Sequence, residues 1–138
     1  MPSQEVPGLI DELPILMVAS ACAKGLTRFR GIGELRVKET DRIRSMVDGL
    51  RRMGAKITQP DPEAVEIEGG PLRGAIVESA GDHRTAMSLA IAGLIAQGAT
   101  IVKGADCVAK SFPEFFDQLR LVTDSTTVKT VDKLPPVC

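Results

Sequence analysis

The sequence contains no tryptophan and no tyrosine, and its one histidine is His83, which leaves few side chains for acid–base chemistry near neutral pH. Its three cysteines, Cys22, Cys107 and Cys138, show no CxxC spacing and cannot all pair. That pattern suits a reducing compartment better than a disulfide framework. One histidine without clustered cysteines cannot close a zinc site, and no Walker-type or GxGxxG loop is present. Charge of one sign is also lacking: 17 Lys and Arg against 18 Asp and Glu leave a net charge of −1. No overall basic field therefore attracts nucleic acid or an anionic lipid surface, and any anion site must be local. No run approaches the roughly 20 apolar residues of a membrane-spanning helix, because Lys24, Gln97 and Lys110 interrupt the most apolar stretches. The opening Met1-Pro2-Ser3-Gln4 lacks the apolar stretch of a secretory signal, so a cytoplasmic location is expected.

What remains is an ordinary globular composition. With 138 residues, 43% of them hydrophobic and 25% charged, the chain has material for one packed core. Leu13 to Lys24 is apolar almost all round, with Pro14 in the first turn and Gly25 just beyond, which predicts a buried helix. LTRFR (26–30) alternates as a strand, and IGELRV reads as a loop. From Lys38 to Met53, the residues Ile43, Met46, Val47, Leu50 and Met53 recur at three and four, predicting an amphipathic helix stopped by Gly54. Runs 55–59 and 64–68 flank Pro60-Asp61-Pro62-Glu63 as a hairpin, and AIVES (75–79) reads as a strand. Asp82 is placed to cap a helix reaching Gln97, followed by the strand TIVK (100–103). A last helix is expected from Pro113 to Val122, with Phe112, Phe115, Phe116, Leu119 and Val122 inward. Residues 123–138 carry no period and are expected to form a mobile tail.

The chain repeats itself. At an offset of 73, Leu16 meets Leu89, Ala19 meets Ala92, Gly25 meets Gly98, Thr27 meets Thr100 and Gly31 meets Gly104. At an offset of 72, Lys38 meets Lys110, Ile43 meets Phe115 and Leu50 meets Val122. Each copy reads helix, strand, Gly loop, Lys, helix, which implies α/β architecture with helices layered on a mixed sheet. Both lysines fall at helix entries, where free N–H groups and the positive end of the macrodipole favour anions, so two anion sites are expected.

Three clusters carry candidate chemistry. In Arg36-Val37-Lys38-Glu39-Thr40-Asp41-Arg42, helical spacing puts Lys38, Glu39 and Arg42 on a face opposite Ile43 and Val47. That face is either a solvated salt-bridge surface or a phosphate and carboxylate clamp with a carboxylate poised for proton transfer. In Gly81-Asp82-His83-Arg84, Asp82 is a cap, yet two cations at a helix N-terminus oppose the dipole unless an anion joins them. Asp11-Glu12 reads either as a good helix start or as part of a site. The cysteines read as structural, with Cys22 on a buried helix.

DELP (11–14), ELRVKETDRIRSM (34–46), GDHRTAMSLAI (81–91) and AKSFPEFF (109–116), in this order, resemble the C-terminal part of the 5-enolpyruvylshikimate-3-phosphate synthase family. The resemblance covers residues 5–122. It implies a domain built from repeated βαβαββ units and an activity that moves the enolpyruvyl group of phosphoenolpyruvate to the 5-hydroxyl of shikimate 3-phosphate, releasing phosphate. No cofactor and no metal is implied. By motif, Asp11 would be the base at the shikimate hydroxyl and Glu39 would assist proton transfer at the phosphoenolpyruvate methylene. Lys38, with Asp11, would contact shikimate 3-phosphate; Arg42, His83, Arg84 and Lys110 would bind phosphoenolpyruvate, the subsite expected to take glyphosate. Glu34 stands where some members carry an Asn that contacts shikimate 3-phosphate. The match covers about the last third of a member, so the N-terminal domain is an implied partner and the isolated chain is expected not to turn over. The competing readings are a non-catalytic anion-binding or complementing fragment, and the sister UDP-N-acetylglucosamine enolpyruvyl transferase.

Overall fold

The computed structural model describes residues 6–124 and 126–131. A single turn, α1 (Val6–Leu9), leads into α2 (Leu13–Cys22), β1 (Leu26–Arg30), a 3-10 turn (Gly33–Val37) and α3 (Arg42–Arg52). The hairpin β2 (Lys56–Thr58) and β3 (Ala64–Glu68) follows, then β4 (Ile76–Glu78), α4 (His83–Ile95), β5 (Ile101–Lys103), a second 3-10 turn (Ala105–Lys110) and α5 (Phe115–Val122).

The helices α2, α3 and α4 meet in one core. Leu13, Met17 and Val18 of α2, Ile43, Met46 and Leu50 of α3, and Leu89 of α4 are buried together with Phe29, Val65 and Ile67 of the sheet. The three- and four-residue spacing places the apolar stripe of α3 inward, whereas α2 is apolar on nearly every face because it lies between neighbours. Gly49 permits the close approach of α3 to α4: a Cβ there would lie 2.8 Å from Leu89 Cδ2.

The repeat is visible in the backbone. Gly25 and Gly98, 73 residues apart, have φ of 94° and 91°, and Gly31 and Gly104, at the same separation, both have φ of 67°. These left-handed positions are where an L side chain is strained, so glycine is placed twice at each turn of the unit. Both copies then run helix, strand, 3-10 turn, helix.

Several expectations change. The strands form two sheets rather than one mixed sheet, an antiparallel sheet in the order β1-β3-β2 and a parallel pair β4-β5. The expected loop at 32–37 is a 3-10 turn, and α3 begins at Arg42 rather than Lys38, because Asp41 takes the cap position and accepts from Arg44 N–H at 3.0 Å. α5 begins at Phe115 rather than Pro113, and Phe112 before it and Val122 at its end are exposed instead of facing inward. Cys22 ends α2 on the exposed side and is free, so it is not a core residue. Of the expected tail, residues 125 and 132–138, Cys138 included, lie outside the described residues. Among the described residues, no helix is long and apolar enough to cross a membrane.

Candidate functional site

Three loop segments converge beside the N-termini of α3 and α4, and one buried guanidinium joins them. Arg42, the first residue of α3, is only 1% exposed, and its Nε donates to Asp82 Oδ2 at 2.5 Å. Its Nη1 donates to Asp11 Oδ1 at 3.0 Å, and its Nη2 to Glu39 Oε2 at 2.5 Å. Burial alone would lower the Arg42 pKa, but the hydrogen bonds and charges of Asp82, Asp11 and Glu39 outweigh that and hold it above the ordinary value. The planar fork of arginine makes this possible, because its donors point in fixed and separate directions.

The three carboxylates differ in environment. Asp82 is fully buried and doubly engaged, since its Oδ1 caps α4 by accepting from Arg84 N–H at 2.8 Å and Thr85 N–H at 3.3 Å. Asp11, in the turn between α1 and α2, is 43% exposed, and Glu39, ahead of the α3 cap, is 51% exposed. Arg84 closes the other side: Nη1 donates to the Asp11 carbonyl at 3.1 Å, and Nη2 lies 3.3 Å from Asp11 Oδ2. Two solvent-reaching carboxylates thus sit on two guanidinia, which fixes their positions while leaving an outward face able to exchange partners.

The surrounding loop is braced. Arg36 Nη1 donates to Asp41 Oδ2 at 2.6 Å and its Nε to the Pro62 carbonyl at 2.7 Å, tying the segment before α3 to the β2–β3 connection. The Ser45 and Thr85 hydroxyls meet at 3.3 Å between α3 and α4.

The structure brings Asp11, Glu39, Arg42 and Arg84 together. Lys38 directly follows the first 3-10 turn and donates to Glu34 Oε1 at 2.7 Å, outside the Arg42 cluster. Lys110 is the last residue of the second 3-10 turn, the equivalent place in the other copy, and is exposed. His83 is the first residue of α4 and half-buried. Among the described residues, no hydrogen bond or ion pair links His83 or Lys110 to the cluster.

Two sequence readings are corrected here. Lys38, Glu39 and Arg42 do not share a solvated helical face, because the helix starts at Arg42 and turns that residue into the interior. Of the two anion sites expected at helix entries, the one at Lys38 takes another form, because Asp41 fills the N-terminus of α3 with the chain's own carboxylate; at the entry of α5, beyond Lys110, Glu114 makes no side-chain cap. Asp82 as the buried counter-charge of Arg42 was not legible, since a cap was a sufficient reading of its position. The second clue, two cations following it against the dipole, pointed to the site without naming its anion. Among the described residues, no group of three or more His, Cys, Asp or Glu is placed to hold a metal ion.

Comparison with known proteins identifies the family of the chain. The family model for EPSP synthase (3-phosphoshikimate 1-carboxyvinyltransferase) matches residues 2–119. A 3-phosphoshikimate 1-carboxyvinyltransferase of Synechococcus sp. (strain JA-3-3Ab) is 51% identical over 123 residues, 88% of this chain and 28% of the relative. One from Synechocystis sp. (strain ATCC 27184 / PCC 6803 / Kazusa) is 53% identical over 115 residues, 83% of this chain and 26% of its own length. The solved EPSP synthase of Acinetobacter baumannii superposes with a TM-score of 0.83 at 44% identity, covering 88% of this chain and 29% of that one. The chain therefore spans little more than a quarter of the length of the relatives it matches.

Proposed function

The chain belongs to the EPSP synthase family, and from that premise we propose that it is the C-terminal wall of a site that transfers the enolpyruvyl group of phosphoenolpyruvate to the 5-hydroxyl of shikimate 3-phosphate, releasing phosphate. The observation that carries this is the convergence of the exposed carboxylates of Asp11 and Glu39 on the buried Arg42. Addition needs one proton removed from a hydroxyl and one delivered to the methylene carbon; elimination removes a proton from the resulting methyl as phosphate leaves. Asp11 is the base at the hydroxyl, and Glu39 handles the proton at carbon.

In the structure both acids are engaged with guanidinium donors. Phosphoenolpyruvate brings its own carboxylate and phosphate, which compete for Arg42 and Arg84 as bidentate partners. Asp82, enclosed and doubly bonded, keeps Arg42 in place while Asp11 or Glu39 swings outward. The incoming anion thereby releases the acids that the chemistry needs. His83 and Lys110 complete the phosphoenolpyruvate subsite, where glyphosate also binds, and Lys38 exchanges Glu34 for shikimate 3-phosphate. The setting is the shikimate pathway in the cytoplasm.

The remaining sequence of the relatives supplies the opposite wall, so this chain alone binds phosphoenolpyruvate without turnover. An amide NMR titration of the chain with phosphoenolpyruvate at low salt tests the reading. Saturable shifts at Glu39, Arg42, His83, Arg84 and Lys110 are expected. A flat titration in a well-dispersed spectrum would leave the complementing-fragment reading, in which the site forms only when both walls meet.

A further inference from the structure

The parallel strands β4 and β5 end side by side, and the segments that carry Arg84 and Lys110 both leave from their carboxyl ends. That is where sheets of parallel strands hold their ligands. With no hydrogen bond or ion pair from Lys110 to the Arg42 cluster among the described residues, the spacing of the two segments is fixed at this junction.

Ser79 sits on the junction and is only 1% exposed. Its N–H donates to the Lys103 carbonyl at 3.1 Å, closing the ladder between the strands. Beyond that bond the chains part, and the Ser79 side chain takes over: Oγ donates to the Gly104 carbonyl at 2.9 Å and accepts from Gly81 N–H at 3.1 Å. The Ser79 carbonyl accepts from Asp82 N–H at 3.1 Å, so residues 79–82 form a tight turn. Gly104 stands at the start of the second 3-10 turn, and its carbonyl also accepts from Cys107 N–H at 3.5 Å. One buried hydroxyl thus joins the turn that delivers Asp82, His83 and Arg84 to the turn that ends on Lys110.

Two backbone features converge on this hydroxyl. Ala80 has φ 53° and precedes Gly81 at φ 74°, so a non-glycine residue occupies a left-handed position in the turn. Such strain persists where surrounding bonds over-determine the backbone, and it collects at binding sites. On the other side, a Cβ at Gly104 would lie 2.8 Å from Ser79 Oγ, so glycine makes room for the bond. A hydroxyl that merely closed its own turn would need only Gly81; donation to Gly104, 25 residues away, ties two segments together.

We propose that Ser79 is a positioning residue of the phosphoenolpyruvate subsite: its hydroxyl fixes the spacing between the Arg84 arm and the Lys110 arm. The inference rests on the reading of Arg84 and Lys110 as that subsite and deepens it. Phosphoenolpyruvate carries its carboxylate and its phosphate on one carbon, so the two arms grip it together only at a set separation. Inorganic phosphate offers a single group, which one arm can hold.

Ser79→Ala removes the hydroxyl and leaves every backbone donor in place. Amide NMR titrations of the unaltered chain and the variant, with phosphoenolpyruvate and separately with inorganic phosphate, test the proposal. In the variant, phosphoenolpyruvate affinity falls at least ~10-fold while phosphate affinity changes less than about 2-fold, because only the ligand that spans both arms depends on their spacing. Gly104→Ala, which displaces the same hydroxyl from the other side, gives the same split. An equal loss for both ligands means general damage, and unchanged phosphoenolpyruvate affinity means that the spacing is set elsewhere; either result overturns the proposal. Residual dipolar couplings of the chain without ligand give an independent reading. In Ser79→Ala the second 3-10 turn changes its orientation relative to α4 while the couplings within α4 are kept, and an unchanged orientation also overturns the proposal. If the unaltered chain shows no saturable shift with phosphoenolpyruvate, the subsite reading falls, and the couplings still decide whether Ser79 sets the geometry.

Discussion

Arg42 and Asp82, 40 residues apart in sequence, face each other at 2.5 Å with neither side chain reaching solvent. Every other contact of the candidate site is arranged around that pair. Asp82 offers one oxygen to the guanidinium and the other to the first N–H groups of α4, so it sets the distance between the starts of two helices. An isolated charge at this depth is costly, which explains why the pair is supplemented by Asp11 and Glu39 rather than left alone.

Asp82→Asn keeps a capping oxygen but removes the buried counter-charge, leaving Arg42 with only its exposed partners. Loss of about 3 kcal/mol or more is expected in urea unfolding. Asp82→Ala also removes the cap and should cost about 1 kcal/mol further. Equal stability of the two variants would mean that the cap contributes nothing.

Arg42→Lys retains the charge but replaces separated donors with one ammonium, which cannot reach Asp11, Glu39 and Asp82 together. The backbone amides of Asp11 and Glu39 should sharpen and exchange faster in NMR, while the α5 signals stay unchanged. Unaltered Asp11 and Glu39 signals would show that the fork does not position them.

Much of this fold was legible because its causes are local. Left-handed glycines at 25, 31, 98 and 104 and the apolar spacing of α3 mark the units directly. The start of α3 was misplaced by four residues because Lys38-Glu39-Thr40 has acceptable helical spacing, whereas Asp41 capping and the Arg36–Asp41 pair fix the backbone otherwise. The burial of Arg42 was hidden for a different reason: it depends on Asp11 and Asp82, distant in sequence, and spacing cannot report a long-range counter-charge. The division of the strands into two sheets is likewise a matter of tertiary pairing.

Gly25→Ala and Gly104→Ala separate backbone strain from collision. Gly25, at φ 94°, has nothing within 4 Å of an added Cβ, so its cost should be about 1 kcal/mol from conformation alone. At Gly104, with φ 67°, the new Cβ would also sit 2.8 Å from Ser79 Oγ, which donates to the Gly104 carbonyl. A larger loss is expected there, and thermal melts of both variants measure the difference.

Asp124 accepts hydrogen bonds from the backbone N–H and the hydroxyl of Thr126, which hold its carboxyl below the ordinary value. The turn is therefore favoured above the unfolded carboxyl pKa of about 3.9 and loosens as pH falls through the lower folded value. The Thr126 amide proton should move upfield across that acid range, and Asp124→Asn should remove the transition.

The central claim is that Asp11 and Glu39 supply the proton transfers of enolpyruvyl transfer once the opposite wall is present. Its most direct test is phosphate release from phosphoenolpyruvate and shikimate 3-phosphate by this chain mixed with the remaining part of the Synechococcus relative. The account predicts no release from either piece alone, release from the mixture, and a fall of about 100-fold or more when this chain carries Asp11→Asn or Glu39→Gln. Release at the unaltered rate by either variant, or none from a mixture that forms a stable complex, would contradict it.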